Sequence, residues 1–176
     1  MLVRREQRGD VATVRRVVAA AFSRPDVSTE PSSRVPAEVT LLDQLRVDTA
    51  WLPVLSLVAV APDGTLVGHV VCTRGAVGRT PALGLGPLAV RPDRQRRGVG
   101  KALMHAVLGA AEALDESLVA LLGDPRYYRR YGFRPAVGYG ITPPNPEWGD
   151  FFQVRTLSAY QSVFGTFRYA EPFNRL

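Results

Sequence analysis

RQRRGVGKAL, Arg94 to Leu103, places four cationic side chains around two glycines and runs straight into an apolar segment with helical spacing. Backbone N–H groups at a helix start have no partner within the helix, and the helix dipole there favours negative charge. Glycines let a bulky anion approach the backbone closely. Such a stretch can hold the phosphates of a nucleotide or grip nucleic acid. It can equally be a solvated basic turn whose glycines serve only packing. The residues on either side decide between these readings.

The 176-residue chain is long enough to bury a substantial core and is expected to form a single domain, residues 1–176. With 46% hydrophobic and 22% charged residues it reads as globular and not disordered. It has no run of about 18 apolar residues, so no membrane-spanning helix is expected. The first residues, MLVRREQRGDV, are charged where a secretion signal needs an apolar stretch. A single cysteine, Cys72, rules out an internal disulfide framework, and no Cys/His cluster has metal-ligand spacing. A cytoplasmic location and no metal are therefore expected. The net charge of +6 comes almost wholly from arginine, since Lys101 is the only lysine. An isoelectric point near 10.1 suits a polyanion but does not say which.

Leu2 to Glu6 reads as a strand, and Asp10 as the N-cap of a helix reaching Phe22. A Pro- and Ser-rich loop (Ser23 to Pro36) precedes a second helix, Ala37 to Val47, with Val39, Leu42 and Leu45 inward. Strands Leu52–Ala61 and Leu66–Arg74 flank the turn PDGT, and GAVGRT reads as a loop before the apolar strand Ala82–Val90. The helix from Gly98 to Leu114 should bury Val99, Leu103, Ala106, Val107, Ala110 and Leu114. SLVALLG then reads as a strand buried on both faces. In DPRYYRRYGF, Asp124 caps a short helix, Pro125 opens it, and Gly132 ends it. Two further strands are expected, in FFQVRTL and near Phe164 to Tyr169. The fold class is α/β (α+β), one mixed and mostly antiparallel sheet flanked by helices, with a parallel pair from the strand–helix–strand unit Ala82 to Gly123.

A phosphate-binding P-loop is excluded: Gln95 stands where the pattern needs glycine, and Ala102 follows Lys101 where it needs Ser or Thr. GLGPLA at Gly84–Ala89 has the letters of a dinucleotide fingerprint but lies inside a strand with no helix opening there. Nucleic-acid binding is disfavoured, because the cations gather at one helix start without a recognised binding pattern. The stretch LGPLAVRPDRQRRGVGKAL, with Q/R-x-x-G-x-G/A after a strand, resembles the acyl-CoA motif of the GNAT acetyltransferase superfamily. Tyr128 to Phe133 is similar to that family's Y-x-x-x-G-F helix, and GPLAV with GDPRYYRRYGFRPA resembles its YhbS-like bacterial group.

This resemblance implies an N-acetyltransferase using acetyl-CoA, with attack by a primary amine in a ternary complex. A non-catalytic acyl-CoA sensor on the same fold is the alternative. The strand ending at Val90 should splay from its parallel neighbour, and Leu88, Ala89 and Val90 would meet the pantetheine arm. Gln95, Arg96, Arg97, Gly98, Val99, Gly100 and Lys101 would hold the pyrophosphate. Tyr128 aligns with the tyrosine that protonates the departing thiolate, with Tyr127 as substitute. The family's strand glutamate is missing from LGLGPLAV, so the base is open: a water relay, an amine that arrives neutral, or His69, with Glu30, Glu147 and Asp150 as weaker options. His105 is read as a helix-surface residue and Cys72 as core. The acceptor amine should bind between Ser23–Pro36 and Ile141–Asp150, where Trp51 and Trp148 are candidates for packing or lining. The resemblance also leaves room for a homodimer through the C-terminal strands.

Overall fold

Strand β1 (Leu2–Arg5) pairs antiparallel with β2 (Ser56–Val60), and β2 with β3 (Leu66–Val77), in a computed structural model that describes residues 1–23 and 35–175. The turn between β2 and β3 closes as its letters require. Gly64 takes φ +82°, and Asp63 accepts a hydrogen bond from the Thr65 amide. Strand β4 (Thr80–Val90) follows, then helix α3 (Val99–Ala113) and strand β5 (Leu118–Leu122), parallel to β4. Helix α4 (Pro125–Tyr128) leads to short strands β6 (Arg134–Pro135) and β7 (Ile141–Thr142), then β8 (Phe152–Thr156) and β9 (Gly165–Arg168). The mixed sheet has the order β1-β2-β3-β4-β5-β8-β6, with β9 joined to the far end of β3 and to β7.

Helices α1 (Val11–Phe22) and α2 (Ala37–Val47) cover one face, α3 the other. Strand alternation sorts the side chains: Val58 and Val71 pack with Val14, Val17, Val18 and Leu42, whereas Leu57, Val70 and Cys72 pack with Leu103, Met104 and Val107. Burying each such aliphatic side chain is worth about 2 kcal/mol.

Several expectations are corrected. Asp10 does not cap α1; its carboxylate turns back to accept from the Gln7 amide (2.8 Å) and Arg4 (2.6 Å), closing the 3-10 turn Arg8–Asp10. GAVGRT is not a loop. Gly75 to Val77 extend β3, and Gly78-Arg79 turn it into β4, because β9 supplies a partner at Ala76 and Val77. Leu52 to Leu55 precede β2 as an extended residue and a 3-10 turn. Leu114 is 47% exposed, and Met104, Leu108 and Ala111 are buried instead. Two short strands, β6 and β7, form where the sequence suggests none.

The parallel pair is short, and this opens the sheet. β4 bonds to β5 only around Leu83↔Val119 and Gly84↔Ala120, though both strands run on. Against β3, the register moves from Cys72↔Leu85 to Val70↔Leu88, so β4 bulges by one residue at Gly86-Pro87. Proline removes a ladder donor there. Beyond Gly84 the two strands form a wedge.

Candidate active site

The ladder between β3 and β4 sets the direction of the β4 backbone in the wedge. Arg91 donates its amide to Val67 (2.9 Å), and Ala89 faces His69. Alternation in an antiparallel ladder then turns the amides and carbonyls of Leu88 and Val90 away from β3, into the wedge. Gln95 donates its side-chain amide to the Val90 carbonyl (3.1 Å) and ties the basic loop to the strand end. Within the loop Arg96 (φ +58°) and Gly98 (φ +85°) are left-handed. Such alternation gathers successive N–H groups into an anion-binding concavity. The helical ladder begins with Ala102 donating to Gly98 (3.0 Å), so the amides of Val99, Gly100 and Lys101 precede it at the positive end of α3.

These pieces border one cleft of about 610 Å³. Leu88 and Val90 form its strand wall, and Gln95, Arg96, Gly98, Gly100 and Lys101 its basic end. Of the expected cofactor contacts, Ala89, Arg97 and Val99 are not on the lining. Ala89 and Val99 are buried on opposite sides of the sheet, and Arg97 is exposed. Ala21, Phe22 and Arg130 complete the wall and were not read from the sequence. Their signal was weak: Phe22 ends an amphipathic helix, where an aromatic usually reads as core.

Three tyrosines stand beside the cleft. Tyr127 and Tyr131 line it, with the Tyr131 hydroxyl 3.3 Å from that of Tyr127, and Arg130 lies over the Tyr127 ring at 5.1 Å. Tyr128 sits one layer back, edge-on to Tyr127 and Phe133, with its ring against the bare α-carbon of Gly123 at the end of β5. Burial pushes the Tyr128 phenol up to about 12 and that of Tyr127 higher still. Asp124 holds this turn in place by accepting from the Arg126 amide (2.8 Å), and Gly132 ends it with φ +85°.

The other candidates lie elsewhere. His69 is fully buried on the α1/α2 face, its Nε2 3.0 Å from Ser56 Oγ and 3.4 Å from Glu6. Burial lowers its pKa, so it is neutral at neutral pH. Glu6 also accepts from Ser56 and Arg46, both at 2.5 Å. Burial raises the Glu6 carboxyl, but bonds from His69 and Ser56 and the Arg46 charge outweigh it and hold it at about 2. Trp51 stacks under Arg46, and Trp148 packs on Phe152. Glu147 and Asp150 are exposed, as is His105, and Cys72 is buried as expected. Glu30 and most of its loop lie outside the described residues. Among the described residues lining the cleft, none is a carboxylate or histidine. No cluster with metal-ligating composition occurs among the described residues. None of the described helices is long and apolar enough to cross a membrane.

Residues 55–135 match the model of the acetyltransferase (GNAT) domain. Over 143 residues the chain is 32% identical to the N-acetyltransferase YhbS of Escherichia coli K12, covering 79% of this chain and 84% of that protein. This chain belongs to the GNAT acetyltransferase family. Another E. coli K12 relative, the N-acetyltransferase YjhQ, is 33% identical over 144 residues, 77% of this chain and 79% of that one. Among solved GNAT structures, E. coli YhbS in complex with CoA superposes with a TM-score of 0.86 at 28% identity, covering 99% of this chain and 92% of that one. A GNAT acetyltransferase from Brucella melitensis in complex with acetyl-CoA gives 0.76 at 30% identity, covering 98% and 97%. The wedge, bulge and basic helix start thus sit on a GNAT fold, as the sequence motifs imply.

Proposed function

We propose that this chain is an acyl-CoA-dependent N-acetyltransferase that passes an acetyl group from acetyl-CoA to a primary amine by direct attack in a ternary complex. The observation that carries this reading is the alignment of two features: the wedge-facing backbone of Leu88 and Val90 and the amides at the start of α3 that precede its first helical hydrogen bond. A Cβ on Gly100 would lie 3.6 Å from Val90 Cγ2, so strand end and helix start adjoin. An arm with amides can pair along the strand while a pyrophosphate meets the helix dipole, Arg96 and Lys101. The relatives solved in complex with CoA and with acetyl-CoA support this choice of ligand.

Acetyl-CoA supplies the acyl carbon as a thioester, whose thiolate needs a proton as it leaves. The Tyr128 phenol, protonated throughout the working range, is read as the donor to that sulfur. An ordinary thiol titrates near 8.5, so burial must raise the thiolate as it raises the phenol for the proton to cross completely. Among the described residues that line the cleft none is a carboxylate or histidine, and a water relay or an amine that arrives neutral belongs to this reading. The continuous sheet from β1 to β6 supports reading residues 1–176 as one domain. A cytoplasmic setting and a homodimer through the C-terminal strands belong to the same reading.

The test pairs calorimetry with a thiol-release assay over a panel of primary amines. Saturable acetyl-CoA binding with amine-dependent CoA release is expected, and release should collapse in Tyr128→Phe. Binding without release from any amine would favour an acyl-CoA sensor. No binding would remove the reading altogether.

A further inference from the structure

Two hydroxyls are buried without a hydrogen-bond partner among the described residues and belong to one place in the sheet: Thr73 Oγ1 and the Tyr169 hydroxyl. Thr73 on β3 lies directly across from Gly84 on β4, and residues directly opposite share a face. That face carries α1 and α2, since Val71, two residues earlier, packs there. The Tyr169 ring covers the bare α-carbon of Gly84: a Cβ there would stand 2.5 Å from Cδ1 and 2.8 Å from Cε1. Gly84 is the last β4 residue paired with β5, the closed end of the wedge. Tyr128 covers Gly123, the residue just after β5, from the α3 side, so one phenol flanks each arm of the fork.

Tyr169 is held firmly. Its ring lies 4.7 Å from those of both Phe167 and Phe173, with Trp148 and Phe152 behind. Burial, with Tyr128 and Cys72 nearby, pushes its pKa far up, so the oxygen keeps its proton and serves as a donor. A buried hydroxyl with no acceptor is unfavourable unless a ligand provides one.

Resting on the acyl-CoA reading above, the acyl end follows from the order of parts along β4. Phosphates at the start of α3 adjoin Val90, and an arm running back along Leu88 brings the thioester toward Gly84. That is about 20 Å of extended strand. We infer that the Tyr169 hydroxyl donates a hydrogen bond to the thioester carbonyl oxygen of bound acetyl-CoA, from the face of the sheet opposite Tyr128. The bond strengthens as negative charge builds on that oxygen during attack. Tyr169 is then a second catalytic tyrosine, supplied by the C-terminal aromatic segment.

Tyr169→Phe keeps the ring and its packing, and calorimetry with acetyl-CoA and with CoA separates the two ligands. The variant should lose about fivefold in acetyl-CoA affinity, one hydrogen bond's worth, with CoA affinity unchanged. Unchanged CoA binding also reports an intact fold. Difference infrared spectra with carbonyl-labelled acetyl-CoA should show the bound thioester band at higher frequency in the variant than in the wild type. Equal weakening of both ligands, or no change in affinity and band, overturns the assignment. A wild type that binds neither ligand overturns the acyl-CoA reading itself, and this inference with it.

Discussion

The Tyr127 hydroxyl stands 2.8 Å from the point a Cβ on Gly100 would occupy. The phenol cannot easily retreat, since Tyr131 neighbours its oxygen and Arg130 covers its ring. Gly100→Ala should therefore push Tyr127 into the cleft. Acetyl-CoA affinity should fall roughly tenfold, about 1.4 kcal/mol, with little change in melting temperature. Gly98→Ala should do the reverse at first sight: nothing crowds its Cβ, but φ +85° costs an L-residue about 1 kcal/mol. A melting temperature lower by about 3 °C is expected for a chain of this size. Calorimetry and thermal melts of the two variants separate crowding from strain.

Tyr128→Phe should lower kcat about 100-fold while leaving acetyl-CoA affinity within twofold. Because the phenol titrates at about 12, Tyr128 should impose no alkaline limb on the rate below about pH 10. A wild-type limb near pH 9 that vanishes in the variant would assign the phenol a far lower pKa.

Acid should act through the buried Glu6–His69–Arg46 group. The His69 pKa is depressed below its usual 6.5, so below that pH the unfolded chain binds a proton that the folded chain resists. Glu6, held at about 2 against an ordinary 4.5, adds stability that is present above pH 4.5 and lost as pH falls toward 2. Melting temperature should drop in two stages on acidification, the first starting near pH 6.5. Glu6→Gln leaves Arg46 without its main partner and should cost about 3 kcal/mol at pH 7. It should also flatten the lower stage. Melts across pH 2–8 check both.

Cys72 is fully buried, and burial pushes its thiol far up. It should not react with a disulfide reagent in the native state and should titrate fully in denaturant. A native protein that reacts within minutes would contradict this burial.

Much of this was legible because the deciding residues act locally. The basic loop, the Asp124 cap and the Gly132 stop depend on neighbours within a few positions, and each formed where its letters placed it. What failed depended on distant partners. GAVGRT reads as a loop by its glycines, yet β9, some ninety residues on, pulls Ala76 and Val77 into the sheet. Asp10 caps well in isolation, but Arg4 offers its carboxylate a charged partner. Tyr169 lay hidden in an aromatic tail, because nothing local marks one phenol among neighbours as facing a fork in the sheet. Tyr128 was found by motif, but the Gly123 surface it covers emerges only in three dimensions.

The single lysine has a practical reach beyond anion binding. Lys101 is exposed at the mouth of the cleft, and every other basic side chain except the two histidines is an arginine. Amine-directed labelling therefore finds one side chain, besides any free α-amine, and that side chain reports on the cleft. Because the label would neutralise that cation, protection of Lys101 from labelling by a bound ligand reads out cleft occupancy without any engineered residue.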